Sequence, residues 1–237
     1  MKIMVLVNEY TPEALARRKV VVEAAVSAGV EVGYAVIEGS GGGKATTNLH
    51  RTLAAPAAAR EVVNAEKAGY DAVVAWGTYD LGVEEGRHLV DIPVLGPGRV
   101  AAHMAATLCQ RFAVISTRST SIKMHRAAIK GWGVEDWAVD FRYLDMPPMD
   151  MPNQADEVRR RFIACARAAV AESDAELILP LAYSIVPLTQ NSAELAEEIG
   201  VPVLNPLPVT MRLAEALVVS GFKNSRETYP RAELPQA

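Results

Sequence analysis

Four short polar clusters hold most of the side chains able to do chemistry in this 237-residue chain. They are Asn8-Glu9-Tyr10-Thr11, Trp76-Gly77-Thr78-Tyr79-Asp80, Ser116-Thr117-Arg118-Ser119-Thr120 and Pro180-Leu181-Ala182-Tyr183-Ser184. Each directly follows a short apolar run, and the set is rich in hydroxyls and amides and poor in charge. Backbone N–H groups at helix starts, backed by Ser and Thr hydroxyls, suit a carboxylate or another small anion. Tyr79, Asp80, Tyr183 and Ser184 add groups that can move a proton or orient water. Asn8, Tyr10, Thr11, Gly77, Thr78, Ser116, Thr117, Thr120, Leu181 and Ala182 are the candidate substrate contacts. For any single Ser or Thr, helix capping is the simpler role. For the two tyrosines, the competing role is an aromatic buried with a satisfied hydroxyl. Recurrence at four strand ends is what argues for a site.

Other chemistries fit the residues less well. His50, His88, His103 and His125 are scattered, without HxxxH, HExxH or paired cysteines, so no metal site is expected. A serine hydrolase would need a G-x-S-x-G elbow, and Ser184 in AYSIVP lacks it. Cys109, in ATLCQRF, and Cys165, in RRRFIACARAAV, both fall on predicted helices with no neighbouring His or helix start to lower a thiol pKa. They read as inert buried thiols. The stretch Glu38–Asn48, EGSGGGKATTN, misses the phosphate-binding P-loop pattern at two places, Glu38 and Ala45, and reads as a mobile lid or surface loop. Asp145 and Asp150 sit in a proline-broken loop, where charges are usually solvated.

The elements that must position these clusters alternate between short apolar runs and segments of helical period, the α/β signature. Strands are predicted at Lys2–Val7, Val30–Val36, Ala72–Ala75, Val94–Leu95, Phe112–Ile115, Trp137–Tyr143, Leu177–Leu179 and Val201–Leu204. The runs are mostly continuous, which suits parallel strands covered on both faces. Helices are predicted from Thr11 to about Ser27 and at Ala57–Ala68, Leu81–Val90, Val100–Cys109, Ser121–Lys130, Ala155–Ala171, Ser192–Ile199 and Thr210–Val219. The tail Lys223–Ala237 is polar and should wrap or fray. In open α/β sheets, ligands bind outside the carboxyl ends of the strands, where the four clusters fall. The first and third clusters each end a strand and open a helix, a hint of internal duplication.

Half of the residues are apolar and 22% are charged, with a formal net charge of -4. That is enough apolar material for one large domain or two small lobes. A mildly acidic chain has no electrostatic footprint for nucleic acid. No apolar run approaches the roughly 20 residues needed to cross a bilayer; the start MKIMVLVNEYTPEAL does not read as a signal peptide, and Met1–Val7 reads better as a buried first strand. The expectations are a cytoplasmic protein with reduced thiols and a small-molecule partner, without nucleic-acid or membrane partners.

Five stretches, in order along the chain, carry a family resemblance. Asp91–Thr117, DIPVLGPGRVAAHMAATLCQRFAVIST, resembles the middle of hydantoin racemases, with their D-x-P-V-x-G segment, A-x-H-M-A helix and R-F-x-V-x-T-T strand. Asn8–Thr11 stands where that family has its N-P-N-T start. Gly131–Pro147 resembles the G-x-G segment and its following strand. Ala175–Leu179 resembles the strand before the second catalytic cysteine, and Asn205–Ala216 the closing helix. The chain thus resembles the aspartate/glutamate/hydantoin racemase superfamily.

The resemblance implies two similar α/β lobes with mostly parallel sheets, related by a pseudo-twofold axis, with the site in the cleft between them. It puts residues 1–97 plus 206–237 in the first lobe and 98–205 in the second. It implies a cofactor-free, metal-free reaction on a small carboxylate or hydantoin-like substrate, and a homo-oligomer. One cysteine after a first-lobe strand removes the α-proton, and a second in the other lobe returns one. This sequence has Gly77 at the first place (Trp76 or Thr78 with a one-residue shift) and Leu181 at the second. Arg99 stands where many hydantoin racemases carry an acid. A hydroxyl such as that of Thr78 is a poor acid or base near neutrality. Three readings follow: a family enzyme with altered chemistry, hydrolase or lyase; a racemase or isomerase using non-cysteine groups; or a non-catalytic small-molecule-binding protein.

Overall fold

The computed structural model describes residues 1–43 and 47–234. Lys44, Ala45 and Thr46 of the glycine-rich stretch, and Pro235, Gln236 and Ala237 of the tail, lie outside the described residues. The chain divides into two compact units, Met1–Pro97 with the chain from Thr210 onward, and Gly98–Val209.

The first unit is built on strands β1 (Lys2–Asn8), β2 (Glu31–Ile37), β3 (Ala72–Ala75) and β4 (Val94–Leu95), with helices α1 (Pro12–Glu23), α2 (Asn48–Lys67) and α3 (Val83–Leu89) between them. All strand pairs are parallel, in the order β2-β1-β3-β4. The second unit holds α4 (Pro97–Leu108), β5 (Phe112–Ser116), α5 (Ile122–Gly131), β6 (Ala138–Tyr143), α6 (Ala155–Ser173), β7 (Leu177–Pro180) and α7 (Ser192–Ile199). Its sheet is also parallel, in the order β6-β5-β7. A single parallel bridge from Ile178 to Val203 adds a fourth position beside β7. The last helix, α8 (Pro206–Val219), spans the return to the first unit.

The continuous apolar strands are explained by burial on both faces. All five residues of β5 are buried. Ala113 and Ile115 pack with Val158, Phe162 and Ala166 of α6, while Phe112 and Val114 pack with Ala101 and Ala105 of α4 and Ile129 of α5. In the first unit, Leu6, Val73 and Ala75 meet Ala58, Val62 and Ala65 of α2.

The duplication hinted at by the polar clusters extends to topology. Both sheets place their strands in the order second, first, third, fourth. The fourth positions share a pattern that the strand-end comparison overlooked: Ile92-Pro93-Val94-Leu95-Gly96-Pro97 and Val201-Pro202-Val203-Leu204-Asn205-Pro206. Each closing Pro opens a helix, α4 or α8, as a residue with preset φ at the first helical position does well.

Several predicted boundaries are corrected. The strand expected at Val201–Leu204 is only the Val203 bridge, because Pro202 has no N–H to give a ladder; its carbonyl still accepts from Ile178 N–H at 2.9 Å. Helix α2 starts nine residues before Ala57, with Pro56 inside it and Thr47 capping it. The alanines around Pro56 favour helix strongly, and Ala54, Ala57, Ala58 and Ala59 are buried, so packing outweighs one lost N–H. Helix α1 ends at Glu23 rather than Ser27, because Ser27 gives its N–H to Glu215 of α8 at 2.8 Å. Helix α8 begins four residues early, where Asn205 Oδ1 accepts from Leu207 N–H at 3.1 Å. Helix α4 begins at Pro97 rather than Val100. Residues Glu135–Trp137 form a 3₁₀ turn, so β6 starts at Ala138. Among the described residues, no helix is long and apolar enough to cross a membrane.

Candidate functional site

In the first unit, the parallel register pairs Leu6 with Ala75, and Trp76 N–H donates to the Leu6 carbonyl at 2.7 Å. The residues that follow, Asn8 to Thr11 and Trp76 to Asp80, therefore leave the same edge of the sheet. Asn8 donates through Nδ2 to the Tyr10 hydroxyl at 3.3 Å, and both are half-buried. Gly77 turns the chain at φ 96, a conformation that L side chains rarely adopt. Thr78 and Asp80 are buried, and Tyr79 is half-buried. Asp80 has φ 53, and its carboxylate lies on bare backbone: a Cβ on Gly96 would sit 2.3 Å from Asp80 Oδ2. Gly96 is thus the glycine that makes room for this acid.

Thr11 takes the simpler role. It is exposed and caps α1, accepting from Ala14 N–H at 3.3 Å. The described part of the glycine-rich stretch is tied down rather than loose: Ser40 is buried, and its hydroxyl accepts from Glu9 N–H at 2.9 Å.

In the second unit, Ile115 pairs with Pro180 and Ser116 with Tyr143 across parallel ladders. Leu181 N–H donates to the Ile115 carbonyl at 2.9 Å, and the Ser116 hydroxyl donates to the Leu181 carbonyl at 3.1 Å. Ser116, Thr117, Leu181 and Tyr183 are buried; Ala182 and Ser184 are half-buried. Thr120 is exposed. Asp145 is exposed, as expected of a loop charge, and also accepts from Ser119 N–H at 2.7 Å at the turn that opens α5.

Two residues at these edges were not among the candidates. The first is His125 of α5, 2% exposed. Its Nε2 lies 3.5 Å from Ser116 Oγ, its Nδ1 lies 3.4 Å from the Tyr143 hydroxyl, and its ring stacks on Tyr143. A carbonyl can only accept, so Ser116 spends its proton on Leu181. His125 then donates from Nε2 to Ser116 and accepts at Nδ1 from Tyr143. This directed chain suits a neutral imidazole, and burial lowers the His125 pKa to about 4. The second is Arg18 of α1, buried beneath Tyr10 with its Cζ 3.6 Å from the ring centroid. Helical spacing from Thr11 would have flagged Arg18; nothing local flags His125, whose partners come from two other elements, β5 and β6.

Neither cysteine stands in a segment that directly follows a strand. Cys109 directly follows α4, and its thiol lies 3.3 Å from the Ala105 carbonyl; Cys165 lies within α6, 3.7 Å from the Tyr143 carbonyl. Burial is the main cause raising both thiol pKa values. Among the described residues, no group of three His, Cys, Asp or Glu side chains is assembled to hold a metal ion.

Two parallel sheets of like order, each with a polar carboxyl edge, define an α/β protein of the racemase type. The chain belongs to the Asp/Glu/Hydantoin racemase family, whose model matches residues 19–214. It is 26% identical to the hydantoin racemase of Rhizobium meliloti, over 76% of this chain and 74% of that one. Its fold is similar to that of allantoin racemase from Pseudomonas fluorescens, with a TM-score of 0.86 and 23% identity over 100% of this chain and 99% of the other. It is also similar to the liganded form of an arylmalonate decarboxylase mutant, with a TM-score of 0.65 and 15% identity over 97% and 99% of the two chains.

Proposed function

We propose that this protein is a cofactor-independent enzyme acting on a small carboxylate or a hydantoin- or allantoin-like ring, by chemistry other than proton exchange between two thiols. Family membership supports the enzyme class, and the names of the hydantoin and allantoin racemases support the substrate class. The observation that carries the chemical part is the placement of the chain's two thiols. Cys165 lies within α6 and Cys109 directly follows α4, both lie near backbone carbonyls, and both have pKa values raised by burial, whereas a base needs a thiolate.

At the strand ends of the first unit, Asp80 is the candidate base and the Tyr79 hydroxyl the candidate proton donor; at those of the second, the Tyr183 hydroxyl is the candidate donor. Ser184 is a candidate for orienting water. Backbone N–H groups around Gly77 and Thr78 in the first unit, and around Ala182 in the second, are candidates to polarise a carbonyl or hold a carboxylate. One base with one donor suffices for ring hydrolysis or decarboxylation, and arylmalonate decarboxylase has a similar fold. Racemisation by these same groups is the second outcome that the test separates.

The test is a panel of hydantoins, allantoin, dicarboxylates and lactams. Ring opening, CO2 release, optical rotation and deuterium uptake from D2O are followed for wild type and for a Cys109→Ala, Cys165→Ala double variant. Turnover should survive in the double variant and fall at least about a hundredfold in Asp80→Asn, the scale of a lost general base. Turnover lost in a folded double variant overturns the proposal. Ligand binding without turnover by wild type would favour the binding-module reading.

A further inference from the structure

The first unit contains a buried cation that its own residues leave unbalanced. Arg18 is 6% exposed. Long helical side chains lean back toward the helix start. This one follows that rule, donating from Nη1 to the Ala14 carbonyl one turn earlier at 2.7 Å. Its guanidinium thereby reaches the residues that follow β1 and β3. The Tyr10 ring centroid lies 3.6 Å from Cζ, and the Trp76 centroid lies 5.8 Å away. The Arg18 Nε is sealed from solvent and has no hydrogen-bond acceptor. Among the described residues, no carboxylate pairs with it. Burial lowers its pKa, Arg17 adds to that effect, and Tyr10 opposes it.

A guanidinium stays charged in a protein, so burying it without a counter-charge is costly. Aromatic faces offset part of that cost but supply no acceptor to Nε. The arrangement is unfavourable when empty and becomes favourable when an anion brings the missing acceptor. Arginine's planar fork matches a carboxylate with two parallel N–H donors.

We propose that Arg18 is the anion anchor at the carboxyl ends of β1 and β3, taking a carboxylate of the ligand at its Nε edge. The half-buried Tyr10 ring is the part that shifts to admit the ligand. The inference rests on the reading that these strand ends form a ligand site, and it selects small carboxylates over neutral rings.

Calorimetric titration of the full chain with malonate and with unsubstituted hydantoin tests it, using wild type, Arg18→Met and Arg18→Lys. Wild type should bind malonate, Arg18→Met should weaken that at least about tenfold, and Arg18→Lys should lie between, since it keeps the charge without the fork. Hydantoin affinity should not change. Ligand-free Arg18→Met should melt at the wild-type temperature or above it, because an unpaired buried charge is removed. Unchanged malonate affinity in Arg18→Met overturns the Arg18 assignment alone, as does wild-type binding of hydantoin without malonate. Lower melting temperatures in both ligand-free variants, with equal loss for both probes, would make Arg18 a structural brace and overturn it too. Wild type binding neither probe would bring down the strand-end site and the anchor together.

Discussion

The two units share one strand order but fill equivalent sheet edges with opposite kinds of chemistry. After β1 and β3, the first unit gathers charge: Arg18 under Tyr10, and Asp80 against the bare backbone of Gly96. After β5 and β7, the second unit gathers neutral groups, in a chain from Tyr143 through His125 and Ser116 to the Leu181 carbonyl. The polar chain of the second unit completes its own hydrogen bonds, whereas Arg18 Nε has no acceptor. A duplicated framework thus supplies equivalent positions without dictating what occupies them.

The contrast can be broken most forcefully at His125. His125→Ala should cost about 2–4 kcal/mol in urea denaturation, since it opens a cavity and removes a hydrogen-bond partner from the buried Ser116 hydroxyl and the half-buried Tyr143 hydroxyl. A loss under about 1 kcal/mol would mean that the chain is not closed. The same histidine should give the second unit a pH dependence. Its folded pKa, about 4, lies below the ordinary 6.5, so the unfolded state binds the extra proton first. Its stabilising contribution is full above pH 6.5, falls as the pH drops, and is gone by about pH 4. The change is on the order of 3 kcal/mol. His125→Leu should flatten that slope; an unaltered slope would assign it to other groups.

In the first unit, Gly96→Ala drives a methyl into the Asp80 carboxylate and should cost about 1–3 kcal/mol, read from the denaturation midpoint. Wild-type stability in that variant would show that Asp80 moves freely. Thr11→Ala removes the cap of α1 and should cost about 1 kcal/mol, while leaving ligand affinity alone. A loss of affinity instead would return Thr11 to the site. The smallest effect belongs to Arg18→Met in the ligand-free protein, within about 0.5 kcal/mol of wild type or stabilising.

Much of the framework was legible because its signals are local. Continuous apolar runs such as FAVI report strands buried on both faces, and Thr11-Pro12-Glu13 reports a helix start. Where packing outvoted a local signal, the reading slipped. The helix predicted at Ala57–Ala68 starts instead at Asn48 and runs through Pro56, because alanines on both sides of that proline are buried. The Val201–Leu204 run has strand composition, but Pro202 limits it to one bridge. At the site, the strand-end clusters were visible as sequence, and so were the positions of Cys109 and Cys165 on or beside helices. Arg18 and His125 were not, because a charge or an imidazole acquires its meaning from what surrounds it.

By itself, the sequence determined the α/β class, the alternation of strands and helices, and the family, since period, order and residue identity are properties of the chain alone. Only the tertiary structure decided that Arg18 would be buried without an acid, that Asp80 would rest on Gly96, and that His125 would close a chain with Ser116 and Tyr143. Those outcomes depend on residues far apart in sequence meeting at a sheet edge, where burial and hydrogen-bond geometry set the charge state and partner of each group.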